Sequence, residues 1–210
     1  MPLACAAKPP LLVVVLGLAA CPLLAGCEHG GAGPPAPHYL QFNADAPRGN
    51  TVSVCSAHGC RHKSSFTFTH HDIAALTALM QAHRDRTAAG ERRAIAKAVA
   101  WIEHRVGRAT GTAGDRAGLD LAGAGDPGQM DCVDEATNTT SYLSVLAANG
   151  LLRHHEVLRP MAKDGLARWT HYFAVIRETG SGQRWAVDSF MHENGREPII
   201  MQAEKWYVQT

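Results

Sequence analysis

The stretch from Arg168 to Phe190 constrains the fold more than any other part of the chain. Arg168–Glu178 puts Trp169, His171, Phe173 and Val175 on one face of a strand, Arg184–Phe190 puts Ala186, Asp188 and Phe190 on one face of the next, and Glu178-Thr179-Gly180-Ser181-Gly182-Gln183 lies between them. A two-residue period is the pattern of a half-buried strand, and a glycine-rich turn between two such segments makes a hairpin. Antiparallel sheet is therefore predicted for the C-terminal third, with Glu156–Leu158 and Glu197–Met201 as further strands. Upstream the period changes. Ile73, Leu76, Leu79 and Met80 predict a helix over 72–83, and Ile95, Ala98, Val99, Ile102 and Val106 a second over 91–106. A third helix opens at Cys132 and stops at Asn149-Gly150. Thr51–Cys55 and Ser65–Thr69 read as short strands. Helices followed by an antiparallel sheet make the fold class α+β. Between the second and third helices, residues 107–128 are rich in Gly, Ala, Asp and Thr, and predict a long loop.

The hairpin also predicts a pairing. With Thr179 and Gly180 at its centre, His171 falls directly opposite Asp188, and any turn of even length keeps the two side chains on one face. A carboxylate held there fixes the tautomer of the imidazole and stabilises its protonated form.

The other end of the chain reads as an address. Lys8 precedes an apolar stretch, Leu11–Ala20, of signal-peptide length and too short for a confident membrane span. It runs into Leu24-Ala25-Gly26-Cys27, which resembles the lipobox of bacterial lipoproteins. That resemblance implies removal of residues 1–26, lipidation of Cys27 and a domain held outside the cytoplasm, anchored to a membrane of the cell envelope. An ordinary cleaved signal peptide is the plainer alternative. Residues 27–38, rich in Gly and Pro, then read as a tether, and 39–210 as one domain. Lys8 is the only charge in the signal segment, which leaves 19 basic against 19 acidic residues. That balance gives no footing for nucleic acid.

Cysteine usage narrows the chemistry. Cys5 and Cys21 fall in the signal segment, and Cys27 is expected to carry lipid. Cys55 and Cys60 flank Ser-Ala-His-Gly and are expected to form a disulfide in an oxidising compartment. Cys132 is left alone, either buried and inert or kept free for chemistry. It follows Gly128-Gln129-Met130-Asp131, so Asp131 caps the helix and Asp134 stands at the reciprocal position of a capping box. In the first turn, unpaired N–H groups and the helix dipole favour a thiolate and supply donors to an oxyanion.

Asp131-Cys132-Val133-Asp134-Glu135-Ala136 resembles the cysteine segment of bacterial transglutaminase-like cysteine peptidases. The order Cys, His, Asp, with gaps of 39 and 17 residues, is similar to the order in that superfamily, over roughly residues 90–192. The resemblance implies a papain-like core and a triad of Cys132, His171 and Asp188, acting on amide bonds of an envelope protein or peptide. It also implies that some relatives bind calcium, for which Asp131, Asp134 and Glu135 are the oxygen donors available here; capping is the plainer role for the two aspartates. No organic cofactor is implied. Gln129 is a second candidate oxyanion donor beside the Cys132 backbone.

Taken singly, each of these residues has a bland reading. A cysteine at a helix start is often a small buried residue, and a strand histidine a satisfied core group. The set of three in this order, with a turn that aligns two of them, favours chemistry. Two rival functions remain: a non-catalytic lipoprotein binding an envelope partner on the same fold, and a metal-handling lipoprotein using its 12 histidines, of which His58, His62, His70 and His71 lie near Cys55 and Cys60.

Overall fold

The computed structural model describes residues 28–83, 85–164 and 170–208. The signal segment, Cys27 and Trp169 lie outside them. In chain order the elements are β1 (Glu28–Gly30), α1 (Ala36–Gln41), β2 (Thr51–Ser56), β3 (His62–Thr67), α2 (His70–His83), α3 (Ala88–Thr110), α4 (Cys132–Ala148), β4 (His155–Asp164), β5 (Thr170–Glu178), β6 (Arg184–Asp188) and β7 (Ile199–Gln202), with short 3-10 turns at Leu121–Gly123 and Ala203–Val208. Strands β1-β4-β5-β6-β7 form one antiparallel sheet in that order, and β2-β3 a separate hairpin. The class is α+β.

Helix α4 packs its middle against one face of the large sheet, where Leu143 and Leu146 meet Ala174, Ile176 and Val187 together with Ile95, Val99 and Ile102 of α3. The opposite face carries Leu158, Met161, Phe173 and Val175, and Trp206 of the last 3-10 turn covers it. Because side chains alternate along β5, this strand serves both layers. Each fully buried Leu, Ile or Phe contributes roughly 1.5–3 kcal/mol relative to exposure, so the two layers hold the sheet between them.

Several boundaries differ from expectation for identifiable reasons. Helix α3 runs past Val106 to Thr110 because Gly107 is a packing residue there, not a stop: a Cβ on it would lie 2.7 Å from the Asn194 amide. The helix ends instead at Gly111, at φ 89°. Strand β4 continues to Asp164 beyond a break in register between Leu158 and Met161, which accommodates Pro160. The expected tether over 27–38 is corrected within its described part. Glu28–Gly30 pairs with Lys163–Met161, and α1 starts at Ala36 with His38 and Tyr39 buried. Its glycines turn the chain sharply, and its prolines open a helix, so that composition built structure and not a spacer.

The Cys55–Cys60 disulfide is present, with its Cα atoms 4.5 Å apart. Ala57, His58, Gly59 and Cys60 all take left-handed conformations, at φ between 59° and 68°. Three of these are not glycine, a strained run that the disulfide and its neighbours must hold. A loop this short restricts the unfolded chain little, so Cys55→Ser with Cys60→Ser is expected to cost about 1–2 kcal/mol by urea denaturation. A loss above about 4 kcal/mol would show that the loop carries more than closure entropy.

Candidate active site

The site begins with the cap of α4. Asp131 Oδ1 accepts the Val133 and Asp134 N–H groups at 3.1 and 3.0 Å, and Asp134 Oδ2 accepts the Asp131 N–H at 3.2 Å. Asp134 is also the anion at the centre of the disulfide loop, accepting from Cys60 N–H at 2.6 Å and His58 N–H at 2.9 Å. The left-handed run brings the His58 and Cys60 N–H groups to the two oxygens of one carboxylate. Burial and nearby Asp131 push the Asp134 carboxyl up to about 7, while these backbone donors pull it down. One turn on, Asn138 grips Cys55 through both backbone groups, at 2.7 and 2.9 Å. The disulfide loop is thereby bonded to the first two turns of the helix that Cys132 opens.

Cys132 is 5 % exposed, between Val133 and Phe190, with Phe42 and Tyr172 against the same cluster. Its Sγ lies 3.8 Å from the Thr170 carbonyl oxygen, and the Tyr172 N–H also faces it. Residues two apart in a strand direct their backbone groups to the same side. Pairing with β6 begins only at Ala174↔Val187, so at 170–172 the thiol stands where β6 would otherwise continue. This placement brings the start of a helix packed on one face of the sheet to the strand that carries His171.

His171 Nε2 donates to Asp188 Oδ2 at 2.9 Å, with both side chains buried. Asp188 Oδ1 in turn accepts the Phe190 N–H at 3.2 Å. The bond places the proton on Nε2 and leaves Nδ1 as the basic nitrogen. Trp206 stacks on the imidazole, with ring centroids 4.3 Å apart at 18°. The expected pairing is corrected in its register. The ladder pairs Ala174 with Val187 and Arg177 with Arg184, so the turn has four residues, Thr179–Gly182, and His171 meets Asp188 diagonally. Gly182, at φ 74°, allows the longer turn, whose even length keeps both side chains on one face.

The electrostatics depart from the expected thiolate. Burial, with smaller contributions from Asp131 and Asp188, pushes the Cys132 thiol up to about 12, while the N–H groups of Tyr172 and of Cys132 itself pull it down. The resting group is a thiol, so any attack requires a base to take its proton.

Gln129 does not take the oxyanion position expected of it. Its amide donates to Gly114 and Gly128 carbonyls at 3.0 and 3.2 Å and accepts the Arg116 N–H, so it fastens the loop before α4. Asp131 Oδ1 and both oxygens of Asp134 are likewise occupied by backbone donors. Glu135 is buried against Asp115, to which it is hydrogen-bonded. This acidic trio is built into the fold. Of the histidines near the disulfide, His62, His70 and His71 are exposed and His58 is buried. Among the described residues the group close enough to share a metal is Cys55, Cys60 and Asp134, in which the two sulfurs are bonded to each other.

Three features of the site were not foreseen from sequence. Trp206 has no local signal, since an isolated tryptophan near a terminus does not reveal what it stacks on. Phe42 lies just beyond the supposed tether. Glu103, Asp115 and Glu135 form a buried acidic set behind the helix: Ser189 Oγ donates to Glu103 at 2.5 Å, Gly195 N–H to the same carboxyl at 3.0 Å, and Met130 N–H to Asp115 at 2.5 Å. Asp134-Glu135 within an otherwise uncharged helix was the available hint.

The fold and site together define an α+β protein in which a helix-initial cysteine lies against a strand whose buried histidine pairs with an aspartate of the neighbouring strand. No family model matches the chain, and no curated protein or solved structure matches it.

Proposed function

We propose that this protein is a thiol hydrolase or acyltransferase with a papain-like, transglutaminase-like core, acting on amide bonds through Cys132, His171 and Asp188. The observation that carries the reading is the buried His171–Asp188 bond on the strand whose Thr170 carbonyl the Cys132 thiol contacts. The sulfur attacks an amide carbonyl while His171 Nδ1 takes its proton. The tetrahedral oxyanion is met by the Cys132 N–H, since the Val133 and Asp134 N–H groups are held by the Asp131 cap. Its collapse breaks the C–N bond, and the leaving amine takes the proton back from His171. Water, activated by the same imidazole, then releases the acyl group; an amine in its place gives crosslinking. Asp188 holds the ring and stabilises its charged form. Hydrolysis is preferred by analogy with the peptidases that the cysteine segment resembles. No metal or organic cofactor enters these steps.

The test is labelling with a thiol-reactive amide probe, comparing wild type with Cys132→Ala. Labelling confined to Cys132, with loss of amide hydrolysis in the variant, supports the reading; equal hydrolysis by the variant ends it. The closure of the thiol is what favours a second reading, a non-catalytic envelope-binding protein, in which Cys132 reacts no faster than free cysteine.

We place the protein at the cell envelope, anchored by a lipid on Cys27, with an envelope protein or peptide as substrate. Cys27→Ser is expected to shift it from the membrane to the soluble fraction or to leave it unprocessed. Wild-type protein recovered unacylated without detergent would refute the anchor.

A further inference from the structure

The Cys55–Cys60 loop holds the chain on both sides of Cys132. Before the thiol, the Ala57 N–H donates to the Gln129 carbonyl at 2.8 Å. After it, the His58 and Cys60 N–H groups donate to Asp134, and Asn138 exchanges two bonds with the Cys55 backbone. Three of the donors, Ala57, His58 and Cys60, stand at φ 65°, 65° and 59°, a left-handed conformation that residues other than glycine leave unless something holds them. The disulfide is the covalent closure of that run. Gly59, at its tip, is exposed, which opens the loop to a small reductant. The body of α4 is held independently, by Leu143 and Leu146 in the main core. What the loop governs is therefore the first turn, where Cys132 meets the Thr170 carbonyl and the Tyr172 N–H.

We infer that the Cys55–Cys60 disulfide is a positioning element for the nucleophile, so that closing it raises the reactivity of Cys132. The inference rests on the reading of Cys132 as nucleophile and His171 as its base. A dithiol reductant passes two electrons and two protons to the bond, leaving thiols at Cys55 and Cys60 and becoming a disulfide itself. The opened run relaxes from its left-handed conformation, and the N–H groups of Ala57, His58 and Cys60 turn away from Gln129 and Asp134. The first turn of α4 then loses its ties on both sides of the thiol. A displacement of about 1 Å is enough to slow a reaction that depends on such alignment by on the order of 100-fold. A chain still in a reducing compartment thus carries a misplaced thiol, and gains its nucleophile when the loop closes in an oxidising one.

The test uses the full chain, either oxidised or reduced with dithiothreitol and freed of it under argon. Reaction of Cys132 with iodoacetamide is followed by mass spectrometry of its own peptide, in wild type and in His171→Ala. Reduction is expected to slow wild type by about 10-fold or more and His171→Ala by about 2-fold or less, because the variant has no base left to misalign. Reoxidation is expected to restore the wild-type rate, and Cys55→Ser with Cys60→Ser to match the reduced protein and ignore the dithiol. An unchanged or faster wild-type rate on reduction overturns the proposal. Equal slowing of wild type and His171→Ala also overturns it, and identifies a general loosening. Should reduction unfold the chain, seen as loss of near-ultraviolet dichroism, Asn138→Ala decides in the oxidised state. It cuts the Cys55 tie and leaves the disulfide, and slowing of about 3-fold that requires His171 supports positioning, whereas none refutes it. Equal rates in oxidised wild type and oxidised His171→Ala are a separate result, which removes the base and with it anything for the disulfide to position.

Discussion

Replacing His171 with alanine is expected to slow alkylation of Cys132 near neutral pH by about 100-fold or more, and to abolish amide turnover, because in the proposed mechanism the imidazole takes the thiol proton. The size follows from the electrostatics of the site. Burial holds Cys132 as a thiol, its ionisation pushed up to about 12, so reaction depends on proton transfer at the moment of attack and not on a standing thiolate. Asp188→Asn separates orientation from basicity. Asparagine retains an oxygen to accept from His171 Nε2 but cannot stabilise the charged ring. Alkylation, which needs one proton transfer, is expected to fall about 10-fold, and turnover, which needs the proton taken and returned, by 100-fold or more. Stopped-flow alkylation and steady-state hydrolysis measure the two separately. Equal alkylation rates in wild type and His171→Ala would remove His171 from the mechanism, whatever its distance from Asp188.

Lowering the pH from slightly alkaline to weakly acidic is expected to stabilise the protein. Burial raises the carboxyls of Glu103 and Asp115 to about 7 and that of Glu135 further, with mutual repulsion within the set adding to it. In the unfolded chain the same groups ionise near 4. A raised carboxyl means that the folded state binds the proton more tightly. Its contribution is complete below about 4 and is lost as pH rises towards about 7, where the folded groups themselves ionise. His38 opposes this. Burial, helped by Arg159, lowers it to about 4, so it withdraws stability as pH falls below its ordinary value of 6.5. With Asp134, also raised to about 7, four carboxyls stand against one imidazole and leave a net gain of about 1–3 kcal/mol between alkaline and weakly acidic solution, a rise of several degrees in Tm. Glu135→Gln, which keeps a donor to Asp115 without a charge to bury, is expected to flatten the profile above neutrality. An equally steep profile in that variant would place the pH dependence elsewhere.

The two expectations meet at α4. Its first turn carries the thiol, and the residues just after carry Asp134 and Glu135, which tie the helix to the disulfide loop and to the loop around Asp115. A change in either tie is expected to move Cys132 relative to β5. This is why loss of the Asp134 anchor is expected to act on reactivity as well as on stability.

How much of this could be read without coordinates depends on how local each determinant is. The opening of α4 at Cys132 was legible to the residue, because a capping box is closed by side chains at most three positions apart. The hairpin, and the common face of His171 and Asp188, were legible because the strand period is two and the turn is short. The one error, a two-residue turn in place of four, left the face unchanged since both lengths are even. The disulfide between Cys55 and Cys60 was legible because so short a loop keeps the two thiols within reach. What the amino-acid order did not reveal depends on distant partners. Glycine and proline between 28 and 38 suit a flexible spacer and an ordered crossing equally well; the free edge of β4 and the polar groups of Thr137 and Ser141 decided for the crossing, and so brought Phe42 to the thiol. Gln129 had the chemistry of an oxyanion donor, but the carbonyls of Gly114 and Gly128 took its hydrogens. The thiol itself, expected as an anion on the strength of its helix, is pushed up to about 12 by burial, because desolvation is set by everything packed around the sulfur and the helix is only one part of that.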